Sequence, residues 1–168
     1  NSGTAALHIA LTLIGVKNGD EVISTALTAE PTNTTIALTG AKVVFADVDI
    51  NTGLISPESI EANITENTKA IMVVHYAGMV SDLNRINELS EKYNIPVIED
   101  AAHAFMSKYK GSYVGNNSPY TCFSFQAIKH LTTVDGGLLC LKNEDEYLRA
   151  KNLRWFGLDK KVPRLQAD

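Results

Sequence analysis

Lys129 lies in Cys122-Phe123-Ser124-Phe125-Gln126-Ala127-Ile128-Lys129-His130, after an apolar run and before the turn Asp135-Gly136-Gly137. A lysine amine attacks an aldehyde when it is neutral, and desolvation with neighbouring positive charge favours that form. Asp100 supplies a counterpart, closing the apolar stretch Ile95-Pro96-Val97-Ile98-Glu99 and opening Asp100-Ala101-Ala102-His103-Ala104. An amine and a carboxylate, each at a strand end, suggest a pyridoxal phosphate site. There the amine forms a Schiff base, and the carboxylate keeps the ring nitrogen protonated so that the ring withdraws electrons. Each residue also has an ordinary reading. Most lysines are solvated, and Asp100 suits the cap of a helix starting at Ala101.

Three further groups could complete such a site. His103 would reach the cofactor's phenolic oxygen if the segment from Asp100 to Ala104 wraps the ring edge; alternatively it is a satisfied interior histidine. Ser2-Gly3-Thr4 offers free backbone N–H groups, a hydroxyl and the positive end of a helix dipole, which suits a phosphate or simply caps the helix. Ser124 would add a hydroxyl, or is a plain strand serine.

The elements that must position these groups alternate between helix and strand, which favours an α/β sheet. Helical spacing of Ala5, Ile9 and Leu13 predicts a helix over 4–15, followed by turn chemistry at Asn18-Gly19-Asp20 and a strand over 21–25. A helix over 31–38 and a buried strand over 42–45 follow, then a short helix opened by Ser56-Pro57-Glu58 and a strand over 70–74. The amphipathic segment 82–93 leads into a strand over 96–99, so Asp100 falls at its carboxyl end. Strands over 121–125 and 138–141 and a helix over 144–155 complete one domain. Because ligands of open α/β sheets bind beyond the carboxyl ends of the strands, the loops after Val74, Glu99 and Phe123 are expected to face one crevice.

Composition narrows the function classes. With 168 residues, 45% apolar, 20% charged and a formal net charge of -4, the chain reads as an ordinary globular protein with no basic stripe for nucleic acid. No apolar run approaches the roughly 18 residues of a membrane span, and no signal peptide is visible. Cys122 and Cys140 are isolated in apolar surroundings, which implies buried thiols and a reducing cytoplasm rather than a disulfide or metal site. A nicotinamide enzyme is disfavoured because no G-x-G-x-x-G follows a predicted strand. The opening Asn1-Ser2-Gly3-Thr4, directly before a helix, and an aperiodic C-terminus suggest a segment of a longer protein.

Ser2-Gly3-Thr4-Ala5-Ala6, Gly19-Asp20-Glu21-Val22-Ile23, Glu99-Asp100-Ala101-Ala102-His103, and Phe123-Ser124-Phe125 followed by Lys129 and Gly136-Gly137 resemble, in order, the signatures of the DegT/StrS-type sugar aminotransferases. The resemblance implies a three-layer α/β/α fold with a mostly parallel mixed sheet, the large domain of a fold-type I PLP-dependent transferase. Residues 1–158 would form this PLP-binding domain, incomplete at both ends, and 159–168 would begin the connection to a C-terminal small domain. The implied enzyme is a cytoplasmic homodimer with a shared active site, without nucleic-acid or membrane partners. It moves an amino group from an amino acid, L-glutamate, to a keto group of a nucleotide-linked deoxysugar. Lys129 would be the Schiff-base lysine and proton shuttle, Asp100 the pyridinium partner, and His103 the neighbour of the phenolic oxygen. Gly3, Thr4 and Ser124 would form the phosphate cradle. Lys129 also separates the chain from the dehydrase branch, where histidine takes that position. Two departures stand out: Ala29 where many relatives have an aromatic residue that stacks on the ring, and Val134-Asp135 where glycine and glutamate are usual. The same departures leave open a PLP-binding relative without transaminase turnover.

Overall fold

The computed structural model describes residues 1–158; the connection expected over 159–168 lies outside them. Helix α1 (Gly3–Ile14) begins where the Ser2 hydroxyl accepts the Ala5 N–H at 3.1 Å and ends at Gly15, whose φ of 79° lets the chain turn left-handed out of the helix. Strand β1 (Glu21–Thr25), helix α2 (Glu30–Leu38) and strand β2 (Lys42–Ala46) follow. Helix α3 (Pro57–Ala62) is capped by Ser56, with proline in its first turn where the missing N–H costs nothing. Strand β3 (Thr68–Val74), helix α4 (Leu83–Tyr93) and strand β4 (Val97–Asp100) come next. Asp82 caps α4, and Asn94 ends it in the left-handed region.

A small hairpin, β5 (Lys108–Tyr109) and β6 (Ser112–Tyr113), precedes β7 (Tyr120–Ser124), β8 (Gly137–Leu141) and α5 (Glu144–Leu153). The hairpin was not expected from the sequence. Its turn residues Lys110 and Gly111 both have positive φ, 47° and 87°, the conformation a two-residue hairpin turn demands. No helix starts at Ala101; the segment after Asp100 forms turns.

The main sheet has the order β2-β1-β3-β4-β7-β8, parallel throughout except for β8, which runs back beside β7. Helices α1 and α2 pack on one face over Val22, Met72, Ile98 and Cys122. Helices α3 and α4 pack on the other over Ile23, Ile71, Val73 and Val97. Residues alternate between faces along each strand, and both faces are covered, so the inner strands are buried on both sides and mainly apolar. The expectation that residues 42–45 form a buried strand is corrected. β2 is an edge, with a strand partner on one side only, and Phe45 is 55% exposed.

Candidate active site

The register aligns Val74 with Asp100 and Asp100 with Cys122, and it pairs Ser124 with Gly137. The carboxyl ends of β3, β4 and β7 therefore lie side by side, and the loops that follow them open on one crevice.

Asp100 and Ser124 share the sheet face that carries α1, and the N-terminus of that helix is seated against the end of β7. A Cβ on Gly3 would lie 2.8 Å from the Ser124 Cβ, and one on Gly137 would lie 2.0 Å from the Ser2 carbonyl oxygen. Both are too close for any side chain, so glycine at these positions is what lets helix, strand end and turn meet. The Ser2 hydroxyl and carbonyl take the N–H groups of Ala5 and Ala6. That leaves Gly3 and Thr4 as first-turn donors with no acceptor inside the helix, at the positive end of its dipole. Thr4 is exposed and Ser124 half-buried, so both hydroxyls border open space. This cradle has the donors, the field and the clearance to take a phosphate group.

Asp100 is buried and held from two directions. Its Oδ2 accepts the Thr32 hydroxyl at 2.7 Å, and its Oδ1 accepts the Ala102 N–H at 3.1 Å. His103 is half-buried in the following turn, edge-on to Tyr76 with ring centroids 6.3 Å apart. Burial, then the positive charge of Lys129, hold its imidazole below the ordinary value; the Asp100 carboxylate pulls the other way and His130 adds to the lowering. A neutral ring that can donate or accept results.

Lys129 is half-buried in the loop between β7 and β8. That loop is closed by the Phe125 N–H on Gly136 O and the Thr133 N–H on Phe125 O, each at 2.9 Å. The Lys129 N–H bonds Gln126 O, and His130 donates from Nε2 to Phe105 O at 3.0 Å. The last bond ties the lysine loop to the segment after Asp100, where Phe105 also packs edge-on against Phe123 and Phe125. Gly3 thus meets Ser124 at the end of β7, Asp100 and His103 lie at and after the end of β4, and the loop that carries Lys129 is tied to that segment. Ala29 caps α2, exposed and without a side-chain bond, and brings no ring to it.

Two groups of residues at the site were not singled out from the sequence. Thr32 reaches Asp100 from α2, and Thr28, just before that helix, meets the Thr32 hydroxyl at 2.7 Å. On the opposite face Glu99 is fully buried; its Oε2 meets His75 Nε2 at 2.8 Å, and its Oε1 accepts the Ser118 N–H at 2.9 Å. Burial opposes ionisation of Glu99, but the bonds from His75 and Ser118 outweigh it and pull the carboxyl below its usual value. A charged residue inside an apolar strand was the one visible signal for this cluster. His75, just after β3, is fully enclosed.

Burial pushes both thiols up, Cys122 most, which disfavours the thiolate form. A concavity of about 570 Å3 lined by Leu13, Thr65, Lys69, Tyr93 and Pro96 lies at the other, amino ends of the strands, away from these groups. Among the described residues there is no metal-binding cluster and no helix long and apolar enough to cross a membrane.

Solved structures share this architecture. AtS13 from Actinomadura melliaura is 39% identical, with a TM-score of 0.93 over 98% of this chain and 46% of its own. The sugar aminotransferase CalS13 from Micromonospora echinospora is 36% identical, with a TM-score of 0.93 over 100% of this chain and 47% of its own. Spr1654 from Streptococcus pneumoniae, in its PLP form, is 35% identical, with a TM-score of 0.86 over 92% of this chain and 44% of its own. The chain spans less than half the length of these relatives. Residues 1–167 match a single family across nearly the whole sequence, and the chain belongs to the DegT/DnrJ/EryC1/StrS aminotransferase family.

Proposed function

We propose that the chain is most of the cofactor-binding domain of a pyridoxal-phosphate-dependent aminotransferase. It moves the amino group of an amino acid, L-glutamate, to a keto group of a nucleotide-linked deoxysugar. What supports this reading is that a helix N-terminus packs on the end of β7, the Asp100 carboxylate ends the neighbouring β4, and the loop carrying Lys129 is tied through His130 to the segment after Asp100. When bound, the cofactor supplies an electron sink that stabilises negative charge at the substrate carbon.

The chain's own residues do the rest. Gly3, Thr4 and Ser124 would hold the phosphate, and Asp100 would accept the ring N–H. His103 would border the phenolic oxygen, and the Lys129 amine would hold the cofactor and serve as the base at the substrate carbon. The sugar and its ring carbon are chosen by loops and by a smaller domain outside this chain. The reading includes a cytoplasmic homodimer whose two copies share each active site.

Treatment of the full-length protein with pyridoxal phosphate and borohydride, followed by peptide mapping, is expected to label Lys129. A label on any other lysine overturns the assignment. The exposed Ala29, where a stacking ring is usual, favours a second reading: a cofactor-binding relative without turnover. Conversion of the cofactor to its amine form on adding glutamate excludes it.

A further inference from the structure

Thr32 is buried to 1% exposure in the first turns of α2, far along the chain from Asp100, yet its hydroxyl is 2.7 Å from the Asp100 carboxylate. An ionised carboxylate only accepts, so Thr32 is the donor and its single hydrogen is committed. The Thr28 hydroxyl, 2.7 Å from that of Thr32, must then be the donor in its turn. We infer that Thr28 and Thr32 form a directed hydroxyl chain that sets the orientation of the Asp100 carboxylate, making Thr32 a positioning residue for the cofactor's ring nitrogen. The inference rests on the reading of the site as a pyridoxal phosphate site.

The geometry shows how the chain acts. Thr32 occupies Oδ2 from α2, and the Ala102 N–H occupies Oδ1 from the turn after β4. Two bonds from separate elements fix both the direction of the carboxylate and the rotation of its plane. A carboxylate has about four lone-pair sites, so each oxygen keeps one for a third donor. Helix α2 is itself fastened at this end, where the Asn33 amide donates to Thr25 O at 3.0 Å. A methyl group in place of the Thr32 hydroxyl would fill the same volume but leave Oδ2 free to swing.

The test uses full-length protein and reads the dissociation constant of pyridoxal phosphate by equilibrium dialysis, with the melting temperature of the cofactor-free protein alongside. Thr32→Val is expected to weaken cofactor binding about tenfold, the scale of one charge-assisted hydrogen bond. Thr32→Ser, which keeps the hydroxyl, is expected to restore binding to within about twofold of the unsubstituted protein. Thr28→Val, which removes only the outer link, is expected to weaken it about threefold. Should Thr32→Val fail to fold, the Thr28→Val and Thr32→Ser values still decide. Unchanged affinity in Thr28→Val and in every folded Thr32 variant overturns the inference. So does a loss in Thr32→Ser as large as in Thr32→Val, because that would make the methyl group the working part. Absence of cofactor binding in the unsubstituted protein would instead refute the functional reading beneath it.

Discussion

At position 134 the backbone φ is 72°, a region that branched side chains avoid because Cβ crowds the carbonyl. Val134 is 79% exposed, so little packing offsets that cost. This position belongs to one of the two departures from the family pattern, and the usual glycine suits the left-handed turn. Val134→Gly in the full-length protein is expected to add about 1 kcal/mol of stability, roughly 3 °C in melting temperature. A melting temperature that is unchanged or lower would show that the strain is not stored there. Lys129 and Asp100 were legible from sequence because each sits where an apolar run stops, and strand ends face a crevice. Thr32 was not, since a threonine early in a helix looks the same whether its hydroxyl meets water, its own backbone or a distant carboxylate.

Strand β4 works as an element because its successive residues point to opposite faces. Asp100 turns toward α1 and α2, while Glu99 turns toward His75 and Ser118, so one strand end is gripped from both sides. The Ser81 N–H donates to His75 Nδ1 at 3.3 Å, which puts the ring proton on Nε2, from where it donates to Glu99. Every oxygen of Glu99 therefore faces a donor, and the amide of a glutamine there would set N–H against N–H. Glu99→Gln is expected to cost about 3 kcal/mol at neutral pH. The Glu99 carboxyl is lowered from 4.5 on folding, so its contribution is fully present above that value and is lost as pH falls through the lower, folded one. In denaturant titrations the gap between the two proteins should close as pH drops below about 4.5. A gap that stays constant down to pH 3 would mean that packing, not charge, is what Glu99 supplies.

On the scale of the molecule, the proposed reading gives the sheet and its helices the cofactor side of a site. The loop between β7 and β8 that carries Lys129 leaves Ile128 82% exposed, and the chain covers under half of its relatives' length. Made alone, the 168-residue segment is expected to show no amine transfer with a panel of nucleotide keto-sugars, while the full-length protein turns over at least one. Turnover by the segment itself would overturn the shared-site reading.

The alternation of helical and strand patterns, the caps at Ser2 and Ser56, and the turn at Gly15 are local properties, and local sequence was sufficient to read them. Strand order is different, because each pairing joins segments far apart in the chain, and an apolar run does not say whether it has one neighbour or two. That is why β2 read as buried and proved to be an edge. For the same reason only the tertiary structure could bring Ser2 against Gly137, Gly3 against Ser124 and Thr32 against Asp100. Those contacts are made by what is absent at the glycines and by one hydroxyl direction, neither of which leaves a periodic mark on a sequence.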